Sequence, residues 1–186
     1  MKVDIYSTDK KYNIIYADPP WRFQVWSRDT GLERSADKHY HTMQKKDIQN
    51  MRNVIDKISD KNCVLFLWVT APCLEEGLEL IKAWGFTYKT IAFTWIKQNK
   101  KSDSLFWGMG YYTRANTELC LLATRGKPLK RVSKAVHSVI ISKIREHSRK
   151  PDEVRERIVE LFGNLPRIEL FARQKIEGWD CWGDEV

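Results

Sequence analysis

The chain has 186 residues, 42% of them hydrophobic, which is enough for one domain with a substantial core. It contains no apolar run of membrane-spanning length and no apolar N-terminal signal segment, so we expect no membrane association. The formal net charge of +8 favours a polyanionic partner such as nucleic acid, although simple solubility would also explain it. The four cysteines form no Cys-x-x-Cys pair, which argues against a zinc site and predicts buried thiols in a soluble cytoplasmic protein.

The first clear element is an apolar, β-branched run at residues 14–17, which predicts a buried strand after a short one at residues 3–5. The run ends in Asp18-Pro19-Pro20-Trp21, because neither proline can donate to a strand ladder. Asp18 therefore lies at the carboxyl end of a strand, where open α/β sheets bind ligands. A planar base with an exocyclic amine could stack on Trp21 and donate hydrogen bonds to Asp18 and the Pro19 carbonyl. The alternative is an ordinary strand end capped by an aspartate.

A polar stretch of mixed composition, residues 22–38, follows the turn and predicts a loop. Thr42 is a candidate N-cap for a helix over residues 43–51. His39 and His41 are spaced like a pair of metal ligands, but no cluster of other ligands accompanies them. We therefore expect no metal site.

Residues 63–69 form a continuous apolar run, which is typical of a strand buried on both faces. A helix is predicted from Pro72, with apolar residues at helical spacing, and it ends at Gly85. Residues 90–96 predict the next strand. This β-α-β unit makes α/β the expected fold class.

The second loop, residues 99–112, interleaves lysines with aromatic residues, a composition that suits unpaired bases and phosphates. A surface loop whose aromatic side chains turn into the core is an equally good interpretation of those side chains. Its two glycines, Gly108 and Gly110, do not make a dinucleotide fingerprint, because the third glycine is absent.

Polar residues, Asn116 and Glu118, precede the apolar strand at residues 119–123 and need partners if they are buried. They belong either to a structural network or to a pocket. A short strand is also predicted at residues 139–141. A basic cluster between these two strands is our candidate for contact with a phosphate backbone, although a solvated face is the usual explanation for such a run. It consists of Lys130, Arg131 and Lys134.

Lys150 stands immediately before a predicted helix that has Pro151 in its first turn and Gly163 at its end. The acidic residues after Pro151 favour that helix start, because they complement the helix dipole. The last clear strand is predicted at residues 167–173. It carries Glu169 inside an apolar run, where an edge position facing solvent is the simplest explanation.

Taken together, these motifs resemble the MT-A70 family of adenine N6-methyltransferases. The shared elements are Asp-Pro-Pro-Trp, Tyr-x-Thr-Met, Leu-Phe-Leu-Trp-Val-Thr, Trp-Ile-Lys, Asn-x-Glu, His-x-x-Lys-Pro-Asp-Glu and Ile-Glu-Leu-Phe-x-Arg. The resemblance implies a single Rossmann-like methyltransferase domain over residues 1–186, without an added target-recognition module. It implies a mixed, mostly parallel sheet with helices on both faces. The motif order is permuted, with the catalytic strand early and the cofactor strand last.

The resemblance also implies S-adenosylmethionine as the cofactor and assigns roles to individual residues. The catalytic turn is Asp18, Pro19, Pro20 and Trp21, and the substrate is expected at Tyr40, Asn116, Glu118 and Lys150. Cofactor contacts are expected from Asp4, Ile5, Asp18, Lys150, Glu169, Phe171, Arg173, Asp184 and Glu185. Asp184 stands where the family usually has asparagine, which removes a hydrogen-bond donor but keeps an acceptor.

The expected activity is methylation of adenine N6 in nucleic acid, with DNA favoured over RNA. A protein acting on DNA would be cytoplasmic and associated with the nucleoid. A catalytically inactive partner subunit and a nucleic-acid-binding module without catalysis are the alternatives. The resemblance leaves room for a homodimer or for a heterodimer with a related subunit.

Overall fold

The computed structural model describes residues 1–21, 45–146 and 149–186. Tyr40, the histidine pair, the proposed cap Thr42 and His147 of the Lys150 motif lie outside these residues. The strands are β1 (Tyr12–Ala17), β2 (Ser59–Val69), β3 (Thr87–Gln98), β4 (Thr117–Arg125), β5 (Val139–Lys143), β6 (Arg167–Leu170) and β7 (Asp180–Trp182). The helices are α1 (Lys45–Asn50), α2 (Arg52–Ile58), α3 (Leu74–Ala83) and α4 (Glu153–Phe162), and a 3₁₀ turn (Ala71–Cys73) precedes α3.

The strands form one sheet in the order β5-β3-β4-β2-β1-β6-β7. Within the described residues β4 is the strand that runs against the others, since it pairs antiparallel with both β2 and β3 while the remaining neighbours are parallel. The expected mixed, mostly parallel sheet is therefore confirmed. The reversal brings the start of β4 next to the ends of its neighbours. β4 begins at the edge where the other strands end, which we call the carboxyl edge, and it ends at the opposite, amino edge.

Alternate residues of the central strands bury into two separate cores. Ile15 and Leu65 face the core shared with helices α1, α2 and α3, whereas Ile14 and Phe66 face the core under α4. This alternation follows from the two-residue period of a strand, and it places helices on both faces as expected. All four cysteines are buried with free thiols.

The structure differs from the predicted elements near both ends of the chain. Residues 3–5 form no strand, and the N-terminal segment instead makes a single bridge between Lys2 and Cys181. The last predicted strand ends at Leu170, because Phe171 has a φ of 60°, which leaves the extended conformation. β7 was not predicted, since three residues are too few to show a period. No helix among the described residues is long and apolar enough to cross a membrane.

Candidate active site

The Asp-Pro-Pro-Trp turn leaves the carboxyl edge at the middle of the sheet. Ala17, the last residue of β1, is paired with Leu67 on one side and Leu170 on the other. The Trp21 amide donates to the Pro19 carbonyl at 2.8 Å, which closes the turn tightly. Asp18 is thereby held just beyond the end of a buried strand, as the sequence predicted.

Trp21 supports this turn from inside the protein. Its side chain is only 7% exposed, and its indole Nε1 donates to the Trp68 carbonyl at 3.0 Å. In this conformation the ring packs in the core and offers little surface to a stacked base. Stacking on Trp21 therefore stays a prediction, and the observed role of the ring is to hold the turn.

The side chain of Lys150 joins two carboxylates that come from distant parts of the chain. Its Nζ donates to Asp18 Oδ2 at 2.7 Å and lies 3.2 Å from Glu118 Oε2. Glu118 also accepts from Lys97 Nζ through its other oxygen. Because β4 starts at the carboxyl edge, Glu118 meets the ends of β1 and β3 there. The network thus unites Asp18, Glu118 and Lys150, three residues of the predicted site, and adds Lys97.

Lys97 is the residue of this network to which the sequence assigned no role. A lysine at the end of a predicted strand, beside the expected carboxyl edge, was the available signal. It was insufficient because Glu118 comes from a strand whose direction was unknown from the sequence.

Burial and ion pairing act differently on the two carboxylates. Burial raises the pKa of Asp18 above the ordinary value for a carboxyl, and the Lys150 ammonium opposes that rise without cancelling it. Burial also disfavours the ionised form of Glu118, but Lys150 and Lys97 outweigh it, so the pKa of Glu118 lies below its ordinary value. Burial disfavours charge on Lys150 as well, yet Asp18 and Glu118 raise the pKa of this lysine. Lys150 is therefore a permanent cation at neutral pH.

A cavity of about 220 Å³ opens beside Asp18 at the carboxyl edge, between β1, β6 and the start of α4. Predicted site residues that line it are Asp18, Lys150, Glu169, Phe171, Arg173 and Glu185. Lining residues that the sequence did not single out are Tyr16, Glu146, Arg149, Arg155 and Gln174. The cavity wall therefore combines carboxylates, guanidinium groups and aromatic rings, a donor set suited to a zwitterionic ligand with an aromatic part.

Glu169 does not face solvent on an edge strand. β6 lies between β1 and β7, and both Glu169 oxygens accept from Arg155, at 2.7 Å from Nε and 2.6 Å from Nη2. Burial raises the pKa of Glu169, and Arg155 opposes the rise. Arg155 lies in the first turn of α4, so this bidentate pair joins the helix to the cavity floor.

Phe171 follows Glu169 and Leu170 at the cavity wall with a left-handed backbone. A φ of 60° is strained for a residue with a side chain, and such strain concentrates at ligand sites. Gly183 lies behind it, and a Cβ there would come 2.3 Å from the Ala172 carbonyl oxygen. This close packing fixes the end of β6 against the segment that follows β7.

The family model described as MT-A70 matches residues 12–185. The chain belongs to the MT-A70 family. It is 35% identical to the type II methyltransferase M.MunI of a Mycoplasma species, over 95% of this chain and 78% of the relative. It is 30% identical to a putative N(6)-adenosine-methyltransferase MT-A70-like protein of Medicago truncatula, over 95% of this chain and 26% of the relative. It is 29% identical to human METTL3, an N(6)-adenosine-methyltransferase catalytic subunit, over 88% of this chain and 26% of the relative.

Membership of the MT-A70 family confirms the predicted class of enzyme, a methyltransferase, and the predicted α/β fold. The chain spans about a quarter of the length of its plant and human relatives but most of M.MunI.

Some residues expected at the site of an MT-A70 protein lie away from the cavity wall. Asp4 is exposed, and its carboxylate accepts from the Tyr6 amide and the Ser7 hydroxyl. Ile5 is fully buried in the core beside β1, and Asp184 is exposed. The backbone carbonyl of Asn116 accepts from the Lys97 amide at 2.8 Å. Ligand contacts by these four residues, by Tyr40 and by the residues that line the cavity all stay predictions.

Proposed function

We propose that this MT-A70 protein transfers a methyl group from S-adenosylmethionine to N6 of adenine in DNA. The observation that carries the proposal is the position of Asp18, held by Lys150 on a proline-closed turn at the mouth of the 220 Å³ cavity. Greater similarity to a type II methyltransferase than to the N(6)-adenosine-methyltransferases favours DNA over RNA. Methylation of RNA is the second candidate, because several relatives are named N(6)-adenosine-methyltransferases and adenosine is the nucleoside of RNA.

The cavity suits S-adenosylmethionine by its donors and acceptors. Arg149 Nε is buried and makes no hydrogen bond within the described part of the chain, so it has a donor to offer. Arg173 and Glu185 lie on the same wall, 3.5 Å apart, and can serve a carboxylate and an amine. Phe171 supplies aromatic surface, whereas Tyr16 is 1% exposed and offers almost none. When bound, the cofactor supplies an electrophilic methyl group on a sulfonium.

Adenine N6 is a poor nucleophile, because its lone pair is delocalised into the ring. Lys150 binds Asp18 Oδ2, and a carboxylate has further acceptor sites for an amino group. The Pro19 carbonyl accepts from Trp21 and has a second lone pair to offer. Two hydrogen bonds from N6 to these groups would localise the nitrogen lone pair and aim it at the cavity. Positioning of this kind supplies much of the rate in bimolecular transfers.

The rise in the pKa of Asp18 suits this role, because a buried carboxylate with a raised pKa is a better hydrogen-bond acceptor. Asp18 can also take the proton that N6 loses once the methyl group has arrived. A base in a DNA duplex must first be flipped out, at a cost of a few kcal/mol.

The test is transfer of a radiolabelled methyl group from S-adenosylmethionine onto duplex DNA, single-stranded DNA and RNA of the same sequence. We expect label on DNA, recovered as N6-methyladenine after digestion. Asp18→Ala provides the control, with no transfer and retained cofactor binding. Label on RNA alone would move the assignment to the RNA methyltransferases. Cofactor binding without transfer to any substrate would make the chain an inactive partner subunit.

A further inference from the structure

The loop over residues 99–116 lies at the same edge of the sheet as Asp18. It leaves the end of β3 and returns at the start of β4, and both points are at the carboxyl edge. The Lys97 amide donates to the Asn116 carbonyl at 2.8 Å, and the Phe106 amide donates to the Lys97 carbonyl at 2.8 Å. Lys97 in turn binds Glu118 in the Asp18 network. The base of the loop therefore adjoins the expected adenine site.

This loop exposes large side chains that a folded protein usually buries. Trp107 is 71% exposed, Met109 is 73% exposed and Tyr112 is fully exposed. Of the two interpretations left open by the sequence, the one with aromatic side chains turned into the core does not apply to Trp107 and Tyr112. An exposed apolar patch of this kind marks a binding surface.

The charges on the loop indicate the kind of partner. Lys100, Lys101 and Arg114 are exposed, and the Arg114 guanidinium lies 4.7 Å from the centre of the Trp107 ring. The acidic residue of the loop, Asp103, lies 3.1 Å from Lys143 of β5. Basic side chains beside exposed aromatic rings suit the phosphates and stacked bases of a nucleic-acid strand. They would repel a positively charged protein surface.

The two arms of the loop are held together by contacts between their own backbones. The Ala115 amide donates to the Gly108 carbonyl at 3.2 Å. A Cβ at Gly108 would lie 2.1 Å from the Ala115 oxygen, and one at Gly110 would lie 2.2 Å from the Thr113 oxygen. Glycine is required at both positions, because the two arms of the loop approach so closely. A preformed loop loses less conformational entropy on binding than a flexible one.

The basic cluster of Lys130, Arg131 and Lys134 lies at the amino edge of the sheet, opposite the carboxyl edge. β4 carries the chain from the carboxyl edge to the amino edge, about 27 Å at about 3.3 Å per residue. The cluster follows there, and the Val132 amide donates to the Leu161 carbonyl in the last turn of α4. Lys150 precedes the other end of that helix. The cluster is therefore far from Asp18.

We propose that residues 99–116 form a platform on which unpaired nucleotides next to the target adenine stack, with the loop cations on their phosphates. The proposal rests on the proposed function and extends it, since it identifies where the protein binds the single-stranded nucleotides that flank the target adenine. The cluster of Lys130, Arg131 and Lys134 lies outside this platform and makes no contact with those phosphates.

The experiment compares two variants that lose the same charge, using fluorescence anisotropy of a labelled single-stranded DNA at several salt concentrations. The loop variant is Lys100→Ala, Lys101→Ala and Arg114→Ala, and the matched control is Lys130→Ala, Arg131→Ala and Lys134→Ala. The logarithm of the DNA association constant falls linearly with the logarithm of the salt concentration, by about 0.7 per phosphate contact for single strands. We expect this slope to become shallower by about two in the loop variant, which loses three contacts. The control should keep the wild-type slope. An equal loss of slope in both variants would overturn the proposal.

A second comparison isolates stacking from charge. Trp107→Ala with Tyr112→Ala should weaken single-stranded DNA binding by at least about tenfold and leave the salt slope unchanged. Tyr88→Ala, a partly exposed aromatic residue near the start of β3, is the control and should bind like the wild type. Binding by the double variant at wild-type strength would refute the platform.

Two further outcomes separate this proposal from the proposed function. If the wild type methylates DNA but the loop variants bind and turn over normally, the platform is wrong and the function stands. If the wild type binds the cofactor but no nucleic acid, both are wrong. A loop variant that changes the sedimentation coefficient and keeps its salt slope would assign the loop to a protein interface instead.

Discussion

Asp18 and Glu118 share the ammonium of Lys150, yet burial and pairing shift their pKa values in opposite directions. A pKa raised in the folded state means that the proton binds the folded protein more tightly. The stability from Asp18 is therefore greatest at low pH and is lost as pH rises through its folded pKa. Glu118 behaves in the opposite way: its contribution is present above the unfolded pKa and is lost as pH falls through the lower folded pKa.

Asp18→Asn should separate function from stability. Asparagine resembles the protonated carboxyl, so the melting temperature at pH 7 should stay the same or rise by a few degrees. Turnover should fall by about 10²–10³-fold, because a charged acceptor at the reacting nitrogen is lost. Calorimetry and methyl transfer on the same preparation check both effects. Turnover close to wild type would remove Asp18 from the catalytic machinery.

Glu118→Gln should have the opposite effect on stability. The substitution leaves the buried Lys150 and the half-buried Lys97 with one carboxylate fewer. Loss of one partner from a buried network should lower the melting temperature by roughly 5–10 °C at pH 7. The difference from wild type should shrink only in strongly acidic buffer, as pH falls below the ordinary pKa of a glutamate and through the lowered pKa of Glu118. A melting temperature that rises, as for Asp18→Asn, would contradict the opposite shifts of the two carboxyls.

The pH dependence of turnover should report the ionisation of Asp18, which must be a carboxylate to accept from N6. Lys150→Met removes the cation that opposes the effect of burial, so the pKa of Asp18 should rise further. The acidic limb of the kcat profile should then move to higher pH by about one unit or more. Lys97→Met, which removes a partner of Glu118 rather than of Asp18, is the control. Coincident acidic limbs for wild type and Lys150→Met would show that Lys150 does not set this ionisation.

At the scale of elements, α4 and β6 are joined under the cavity by the pair of Arg155 and Glu169. Both side chains are over 90% buried, and the Arg155 guanidinium also lies 5.5 Å from the centre of the Tyr16 ring. A bidentate pair in this position orients the start of α4, and Lys150 lies three residues before that start.

Arg155→Met should leave the Glu169 carboxylate buried without its partner and cost about 3–5 kcal/mol of unfolding free energy. Adding Glu169→Leu should recover most of that stability, because an apolar pair can replace a buried ion pair. Both the single and the double variant should bind the cofactor more weakly than the wild type, since the cavity floor has lost its polar pair. Denaturant titration and calorimetry measure the two quantities. Full recovery of cofactor affinity in the double variant would limit the pair to a structural role.

At the scale of the whole molecule, the cavity is built from segments far apart in the chain, so a ligand there should stabilise the entire fold. S-adenosylhomocysteine at about 100 times its Kd should add about 2.7 kcal/mol, or roughly 5–10 °C in melting temperature. The loop variants of residues 99–116 should show the same increase, because they lie outside the cavity. No shift at millimolar ligand would contradict the cofactor assignment.

Local patterns predicted most of the strands and the position of the site. The run before Asp18 and the two prolines after it determine a strand end by themselves, through the missing donors of proline. Pro151 indicated a helix start in the same way, whereas the role of Lys150 before it was expected from the resemblance of its motif to that of the MT-A70 family. Arg155 was overlooked, since an arginine on a helix is ordinarily solvated, and only its contact with Glu169 shows otherwise.

The sequence by itself determined an α/β chain with Asp18 at the end of a buried strand and with the motifs of an MT-A70 methyltransferase. These features depend on neighbouring residues, whose periodicity and turn chemistry act locally. The tertiary structure alone decided that β4 is reversed, so that Glu118 and Lys97 meet Lys150, and that the Lys130 cluster lies at the far edge. The reason is that strand direction depends on pairing between distant segments. Lys150 and Asp18, for example, are separated by 132 positions and are joined only when the sheet forms.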